Sequence, residues 1–274
     1  MLKLLIIEGN EAGVRERIKA RLGATTAQRY RAVIQALAPS ASIDIADPAD
    51  VSETPLSEAR LSSYHGVMMT GSALNIYEPN LSVARQLELV RRVFALGLPF
   101  FGSCWGLQVA VVAAGGSVER HPGGREFGFA RRIQVTPAGQ QHAMLAGKPL
   151  VFEAPTVHID HVTRLPAGAV VLAQNEHCVQ ALCFSAQQSQ VWGVQYHPEY
   201  TFMDIVAVAE RYQERLLADG TFESLAAFNH WVQEIATLEQ NLSPALVFRH
   251  GLGPAMTQTS LRQWELSQWL KSLV

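Results

Sequence analysis

The chain has 274 residues, 48% hydrophobic and 17% charged, with a formal charge of −2. That is enough apolar material for one full core or two small ones, and the absence of any Lys/Arg cluster argues against a phosphate-binding groove and for a small neutral or zwitterionic ligand. The apolar run Leu4–Ile7 is too short for the centre of a signal peptide, so a cytoplasmic protein is expected. Three cysteines at irregular spacing, Cys104, Cys178 and Cys183, make neither a disulfide framework nor a zinc site.

Short apolar runs alternate with helical patterns through the first 116 residues. The spacing predicts strands over 3–9, 42–47, 66–70 and 99–103 and helices over 26–38, 82–96 and 105–114, an order that implies βαβ units and a mostly parallel sheet. The helix over 82–96 carries Val83, Leu87, Val90 and Phe94 on one stripe, with Arg91 and Arg92 toward its end. No charge stands between Arg92 and Glu119, a span long enough for a bilayer. Pro99, Gly97, Gly102, Gly106, Gly115 and Gly116 cut it into strand, turn and helix, so no membrane segment is expected.

From Phe127 to His197 strands dominate, over 129–136, 150–158, 170–174, 179–184 and 191–197. Beyond Pro198 the pattern turns helical over 203–217, 223–239 and 260–274. Ser260 and Gln263 form a capping box for the last helix, Leu261, Trp264, Leu270 and Leu273 share a face of it, and 241–259 reads as loop. The expected architecture is α/β: a three-layer sandwich around a mostly parallel or mixed central sheet over 1–202, then a helical extension over 203–274 packed on or near the same domain. Trp264 and Trp269 read as covering that domain rather than as anchors for a partner.

Two segments carry chemistry. In PFFGSCWGLQ an apolar strand runs into Gly102-Ser103-Cys104-Trp105-Gly106 and on into a helix, a nucleophile elbow with sulfur for oxygen. The flanking glycines admit the sharp turn, and Cys104 would stand at the positive end of the following helix, which favours a thiolate. Taken alone, the same pentapeptide also describes a buried cysteine between two packing glycines. In VWGVQYHPEY a β-rich run ends in His197-Pro198-Glu199. Residues i and i+2 of an extended segment share a face, which would set a carboxylate behind an imidazole in a general acid/base pair.

Together and in this order, GSCWGLQ and GVQYHPE resemble the G-x-C-x-G-x-Q and G-x-Q-F-H-P-E motifs of the class I glutamine amidotransferases, with Tyr196 in place of the usual Phe. The resemblance runs from about Leu4 to Phe202 and is closest to the GMP-synthase-like group of stand-alone amidotransferase domains; MMTGSALNIYE, GREFGF and HIDHVTRLPAGAVVLAQNEHCVQAL support it. It implies a flavodoxin-like sandwich and a triad of Cys104, His197 and Glu199 that hydrolyses the γ-carboxamide of glutamine through a γ-glutamyl thioester. Ammonia then goes to a separate synthetase or is simply released. The alternative substrate is a γ-glutamyl peptide or γ-glutamyl amine. The motif match also implies an oxyanion hole from the backbone N–H groups of Ser72 and Trp105, and a substrate pocket that includes Gly71, Gln108 and Gln195.

The sequence departs from the family where Ser72 and Ala73 replace a glycine and a proline, and where the bulky indole of Trp105 would narrow or roof the entrance. His158, Asp160 and His161 form a compact cluster with no further ligand at useful spacing, Cys178 and Cys183 read as strand core, and His177 would face away from Cys178. Neither metal nor cofactor is therefore expected. No nucleotide-binding loop is present, so any acceptor chemistry lies on another chain. A non-catalytic binding module is the remaining reading.

Overall fold

The computed structural model describes residues 1–50, 52 and 54–274. In chain order the first half contains β1 (Lys3–Ile7), α1 (Ala12–Leu22), α2 (Thr26–Leu37), β2 (Ser42–Ala46), α3 (Glu58–Leu61), β3 (Gly66–Met69), α4 (Leu81–Ala95), β4 (Phe100–Ser103) and α5 (Trp105–Ala113). Then follow β5 (Ser117–Arg120), β6 (Glu126–Val135), α6 (Pro137–Gln141), β7 (Val151–His158), β8 (Asp160–Arg164), β9 (Val170–Gln174), β10 (Val179–Ala186) and β11 (Ser189–Val194). The chain ends in α7 (Phe202–Arg211), α8 (Gln213–Ala218), α9 (Leu225–Gln240), α10 (Pro244–Arg249), α11 (Pro254–Thr257), α12 (Thr259–Arg262) and α13 (Trp264–Lys271).

One nine-stranded sheet, in the order β2, β1, β3, β4, β11, β10, β9, β6, β7, carries the fold, and β5 pairs with β8 in a separate two-stranded sheet. The strands from β2 to β11 pair in parallel, and the rest of the main sheet is antiparallel. Side-chain alternation divides the two faces. Leu4 and Ile6 of β1 pack toward Tyr30 and Ile34 of α2 and toward Leu266 and Trp269 of α13. Leu5 and Ile7 pack toward Val90 and Phe94 of α4 and Leu107 of α5. A strand covered on both faces must be apolar where it is covered, which is why Leu4–Ile7 shows no polar alternation.

The α/β sandwich with its mixed sheet and C-terminal helices is the expected one; several elements differ from expectation. Helix α1 buries no residue and so lacks the apolar stripe by which a helix is read. The segment 203–217 breaks at Tyr212 into α7 and α8, and 241–259 contains α10 and α11. Ser260 is not a cap residue, since it lies inside α12, and α13 starts after a break at Gln263, whose side chain makes no cap bond. That break shifts the helical phase, so Leu266, Trp269 and Leu270 are the buried face of α13. Trp269 is fully buried, with its ring centroid 6.0 Å from that of Phe101.

Beneath α13 lies a fully buried ion pair, Lys148 with Glu265, in which the Tyr196 hydroxyl also donates to Glu265. The ammonium sits 4.3 Å from the Phe152 ring centroid, and burial pushes Lys148 down. Removing one partner of such a pair strands the other charge, so Glu265→Gln should destabilise the protein by about 3–5 kcal/mol in urea unfolding. Lys148→Met combined with Glu265→Leu should cost much less than the sum of the single changes.

Candidate functional site

The elbow forms at the C-terminal end of the parallel half of the sheet. Between β4 and α5 the backbone of Cys104 takes φ 51° and ψ −103°, outside the regions an L-residue adopts without strain. Its neighbours permit the turn because they lack Cβ atoms. A Cβ on Gly102 would lie 2.4 Å from the carbonyl carbon of Gly106, and one on Gly106 would lie 2.4 Å from the carbonyl oxygen of Met69. The amide of Cys104 donates to the carbonyl of Val194 at 2.7 Å. Its Sγ lies 3.5 Å from Gln195 Nε2 and 3.8 Å from the Val157 carbonyl. Helix α5 begins at the next residue, so the unpaired N–H groups of its first turn bring positive potential to the sulfur.

His197 and Glu199 meet, but not through strand alternation. Strand β11 ends at Val194, and His197-Pro198-Glu199 forms a turn closed by Tyr200 N–H donating to the His197 carbonyl at 3.1 Å. His197 Nδ1 lies 2.8 Å from Glu199 Oε1, and the ring stacks on Tyr200 with centroids 3.9 Å apart and planes 12° apart. Nε2 is buried and, among the described residues, has no hydrogen-bond partner. Burial pushes the imidazole down, but the Glu199 carboxylate and the Cys104 sulfur outweigh it and lift His197 to about 10.

Since an unfolded histidine titrates near 6.5, His197 contributes stability that is fully present below about pH 6.5 and lost as pH climbs toward about 10. The stability advantage of the wild type over His197→Gln, measured by urea unfolding, should therefore shrink across that window.

Gln108 and Gln195, both buried, come together at the sulfur. Gln108 Nε2 donates to Gln195 Oε1 at 3.3 Å and to the Asp160 carbonyl at 3.4 Å. Gly71 abuts the imidazole, where an added Cβ would lie 2.6 Å from His197 Cε1. Ser72 N–H has no acceptor among the described residues, and Trp105 N–H heads α5, where first-turn donors have no intrahelical partner. The Trp105 indole does not roof the entrance. It is 1% exposed, and its Nε1 donates to Gln86 Oε1 at 2.8 Å while Gln86 donates to the Gly9 carbonyl at 3.2 Å. Within a fully apolar neighbourhood the indole N–H needed that buried glutamine, and the ring was thereby drawn inward.

Sequence reading missed Glu8 and Asn10. Asn10 holds the Gly71–Ala73 turn from both sides: its Nδ2 donates to the Gly71 carbonyl at 3.3 Å, and its Oδ1 accepts from Ala73 N–H at 3.2 Å. Buried Glu8 in turn accepts from Asn10 Nδ2 at 2.9 Å and from Ala27 N–H, at the start of α2, at 2.7 Å. Burial pushes its carboxyl up against these bonds. The signal was available, since polar residues just beyond a buried parallel strand stand where α/β folds bind ligands.

The HIDH segment braces the wall beside the sulfur. His158 Nδ1 lies 2.9 Å from the Asp160 carbonyl and Nε2 lies 2.9 Å from Glu126 Oε2, which also accepts from Gln180 at 2.8 Å. Cys178 belongs to a turn rather than a strand, with Asn175 Oδ1 accepting from both His177 and Cys178 N–H. The side chains of His177 and Cys178 therefore do not face apart as strand neighbours would: His177 lies 5.6 Å from the His158 ring, and the Cys178 sulfur lies within 4.8 Å of ligand atoms of Glu126 and His158. Burial and the Glu126 carboxylate push this thiol up.

A cleft of about 540 Å³ opens onto His197, Glu199, Gly71 and Ser72, between α1 on one side and α7 on the other. Among the described residues, no helix is long and apolar enough to cross a membrane.

A mixed sheet with a cysteine elbow beside an imidazole–carboxylate pair defines a class, and the comparisons with known proteins give it a name. Residues 31–204 match the family model described as glutamine amidotransferase class-I, and the chain belongs to that family. Over its whole length it is 34% identical to a γ-glutamyl-L-1-hydroxyisopropylamide hydrolase from a Pseudomonas species, covering 100% of this chain and 93% of that one. It is 29% identical over 150 residues to a GMP synthase of Neisseria meningitidis, 54% of this chain but only 27% of that protein. A solved glutamine amidotransferase from Thermotoga maritima shares the fold with a TM-score of 0.64 at 18% identity, covering 99% of this chain and 97% of that one.

Proposed function

We propose that this chain hydrolyses γ-glutamyl amides with Cys104 as nucleophile, His197 as acid and base, and Glu199 orienting the imidazole. The observation that carries the reading is a strained, glycine-flanked thiol beside a buried imidazole whose Nδ1 is committed to Glu199 and whose Nε2 has no hydrogen-bond partner among the described residues. The Cys104 sulfur attacks the γ-carbonyl carbon, and charge collects on the oxygen between the N–H groups of Ser72 and Trp105. The C–N bond breaks as the leaving nitrogen takes a proton from His197, giving a γ-glutamyl thioester. Water then loses a proton to His197 and attacks the thioester carbon, releasing glutamate and restoring the thiol. Gln108, Gln195 and Gly71 border the acyl group in this reading. The three cysteines are all unpaired, which suits a reducing cytoplasm.

The full-length similarity to a γ-glutamyl amide hydrolase supports a self-sufficient hydrolase of substituted amides, glutamine being the simplest substrate. A second reading, ammonia supply to a separate synthetase subunit, rests on the shorter match to GMP synthases. Glutamate release from glutamine, γ-glutamyl amines and γ-glutamyl dipeptides separates them. Cleavage of glutamine alone, accelerated by another protein, would favour the second; silence across the panel would remove both.

Asn10 positions the turn that supplies Ser72 N–H. Loss of an oxyanion donor costs about 10²–10³ in kcat, so Asn10→Ala, which loosens the donor without deleting it, should lower kcat about tenfold and leave KM within about twofold in steady-state assays. A fall confined to KM would mean that Asn10 serves binding only.

A further inference from the structure

Helix α1 is built without any buried residue, so core packing does not explain its presence. Salt links hold it. Arg15 pairs with Asp50 at 2.5 Å, and Arg21 reaches across the cleft to Glu210 of α7. What α1 does provide is a wall: Arg17, Ile18, Arg21 and Leu22 all line the cleft that opens onto His197. The opposite wall comes from α7 and the start of α8. Most of both walls lies outside residues 31–204, the part that the family model matches.

The cleft's size and charge bear on what it could hold. His197 must protonate the leaving nitrogen, so whatever that nitrogen carries extends from His197 into the adjoining space. Ammonia needs roughly the 30 Å³ of one water, whereas this cleft, at about 540 Å³, has the capacity of a small-molecule site. Ile18, Leu22, Val157 and Val208 give it an apolar lining. Of its arginines, Arg29 pairs with Asp204 at 2.6 Å and Arg21 with Glu210. Arg17 and Arg211 pair with no carboxylate among the described residues, Arg211 lying over the Tyr212 ring with its guanidinium carbon 4.7 Å from the centroid. Arg17 and Arg211 are thus two exposed guanidiniums without an ion-pair partner among the described residues, at a cleft with an apolar lining, although Glu199, Asp204 and Glu210 also line it; they complement a carboxylate attached to an apolar group.

We propose that the cleft between α1 and α7 is the leaving-group subsite and that it takes an apolar α-amino acid, whose carboxylate meets Arg17 and Arg211; the substrates are then γ-glutamyl dipeptides. This rests on the assignment of Cys104 and His197 above and narrows it.

The test compares γ-glutamyl-leucine with γ-glutamyl-isopentylamide, the same leaving group without its carboxylate. The wild type should prefer the dipeptide in kcat/KM by about tenfold, equivalent to ~1.4 kcal/mol. The variant Arg17→Ala/Arg211→Ala should bring that ratio close to one. An equal rate for the two compounds in the wild type, a preference that survives in the double variant, or cleavage of glutamine with neither compound accepted would each overturn the subsite while leaving the hydrolase reading intact. Should nothing be cleaved, the hydrolase reading falls. Calorimetric titration of the same two compounds into the Cys104→Ser protein then decides separately: tighter dipeptide binding that the two arginine changes abolish keeps the subsite, and equal binding removes it.

Discussion

Cys104→Ser should abolish γ-glutamyl amide hydrolysis, lowering kcat by at least about 10⁴-fold, on the order of other nucleophile knockouts. The substitution nearly keeps the size of the side chain and the conformation at φ 51° but replaces a soft, polarisable sulfur with a less nucleophilic hydroxyl. Among the described residues, the Cys104 sulfur makes polar contacts to Gln195 Nε2 at 3.5 Å and the Val157 carbonyl at 3.8 Å, beside the imidazole of His197. The stability of the variant should therefore stay within about 1 kcal/mol of wild type. Steady-state assay and urea unfolding of the same preparation separate the two effects. Retention of more than a few per cent of activity would point to a different nucleophile.

Gly71→Ala should also be damaging, although the new methyl group removes no functional atom. Its Cβ would lie 2.6 Å from His197 Cε1 and 3.5 Å from both ring nitrogens. The imidazole has little room to retreat, because Tyr200 stacks on it at 3.9 Å and Glu199 holds Nδ1 at 2.8 Å. Either the ring shifts off line with the sulfur or the turn carrying Ser72 moves outward, and a displacement near 1 Å costs about 10²-fold. Overpacking adds a loss of about 1–3 kcal/mol in stability. A lowered kcat with continued alkylation of Cys104 by iodoacetamide would show that the thiol survives while its partner is misplaced. Unchanged kcat would mean that His197 is not held against this turn during catalysis.

The elbow was legible because its geometry leaves no choice of residue: with Cβ positions 2.4 Å from backbone atoms, Gly102 and Gly106 must appear in the sequence. The parallel strands were legible because burial on both faces demands uninterrupted apolar runs such as Leu4–Ile7. What escaped depends on contacts distant in the chain or on surfaces that bury nothing. Helix α1 has no apolar stripe, and Asn10 clamps a turn more than sixty residues away. The direction of Trp105 was set by Gln86 on a different helix. His197 and Glu199 were expected side by side, but the turn ending at Tyr200, rather than an extended strand, brings them together. The roles proposed for them, and for Ser72, Gln108 and Gln195, are what the substitutions above test.

The most direct measurement is mass analysis of the protein quenched in acid during turnover of a γ-glutamyl amide, with the modified peptide located by digestion. One γ-glutamyl group should appear on the peptide containing Cys104, be released by hydroxylamine as expected of a thioester, and be absent from Cys104→Ser and from wild type without substrate. Rapid turnover with no acyl group on Cys104 at any quench time, or an acyl group on Cys178 or Cys183 instead, would contradict the account.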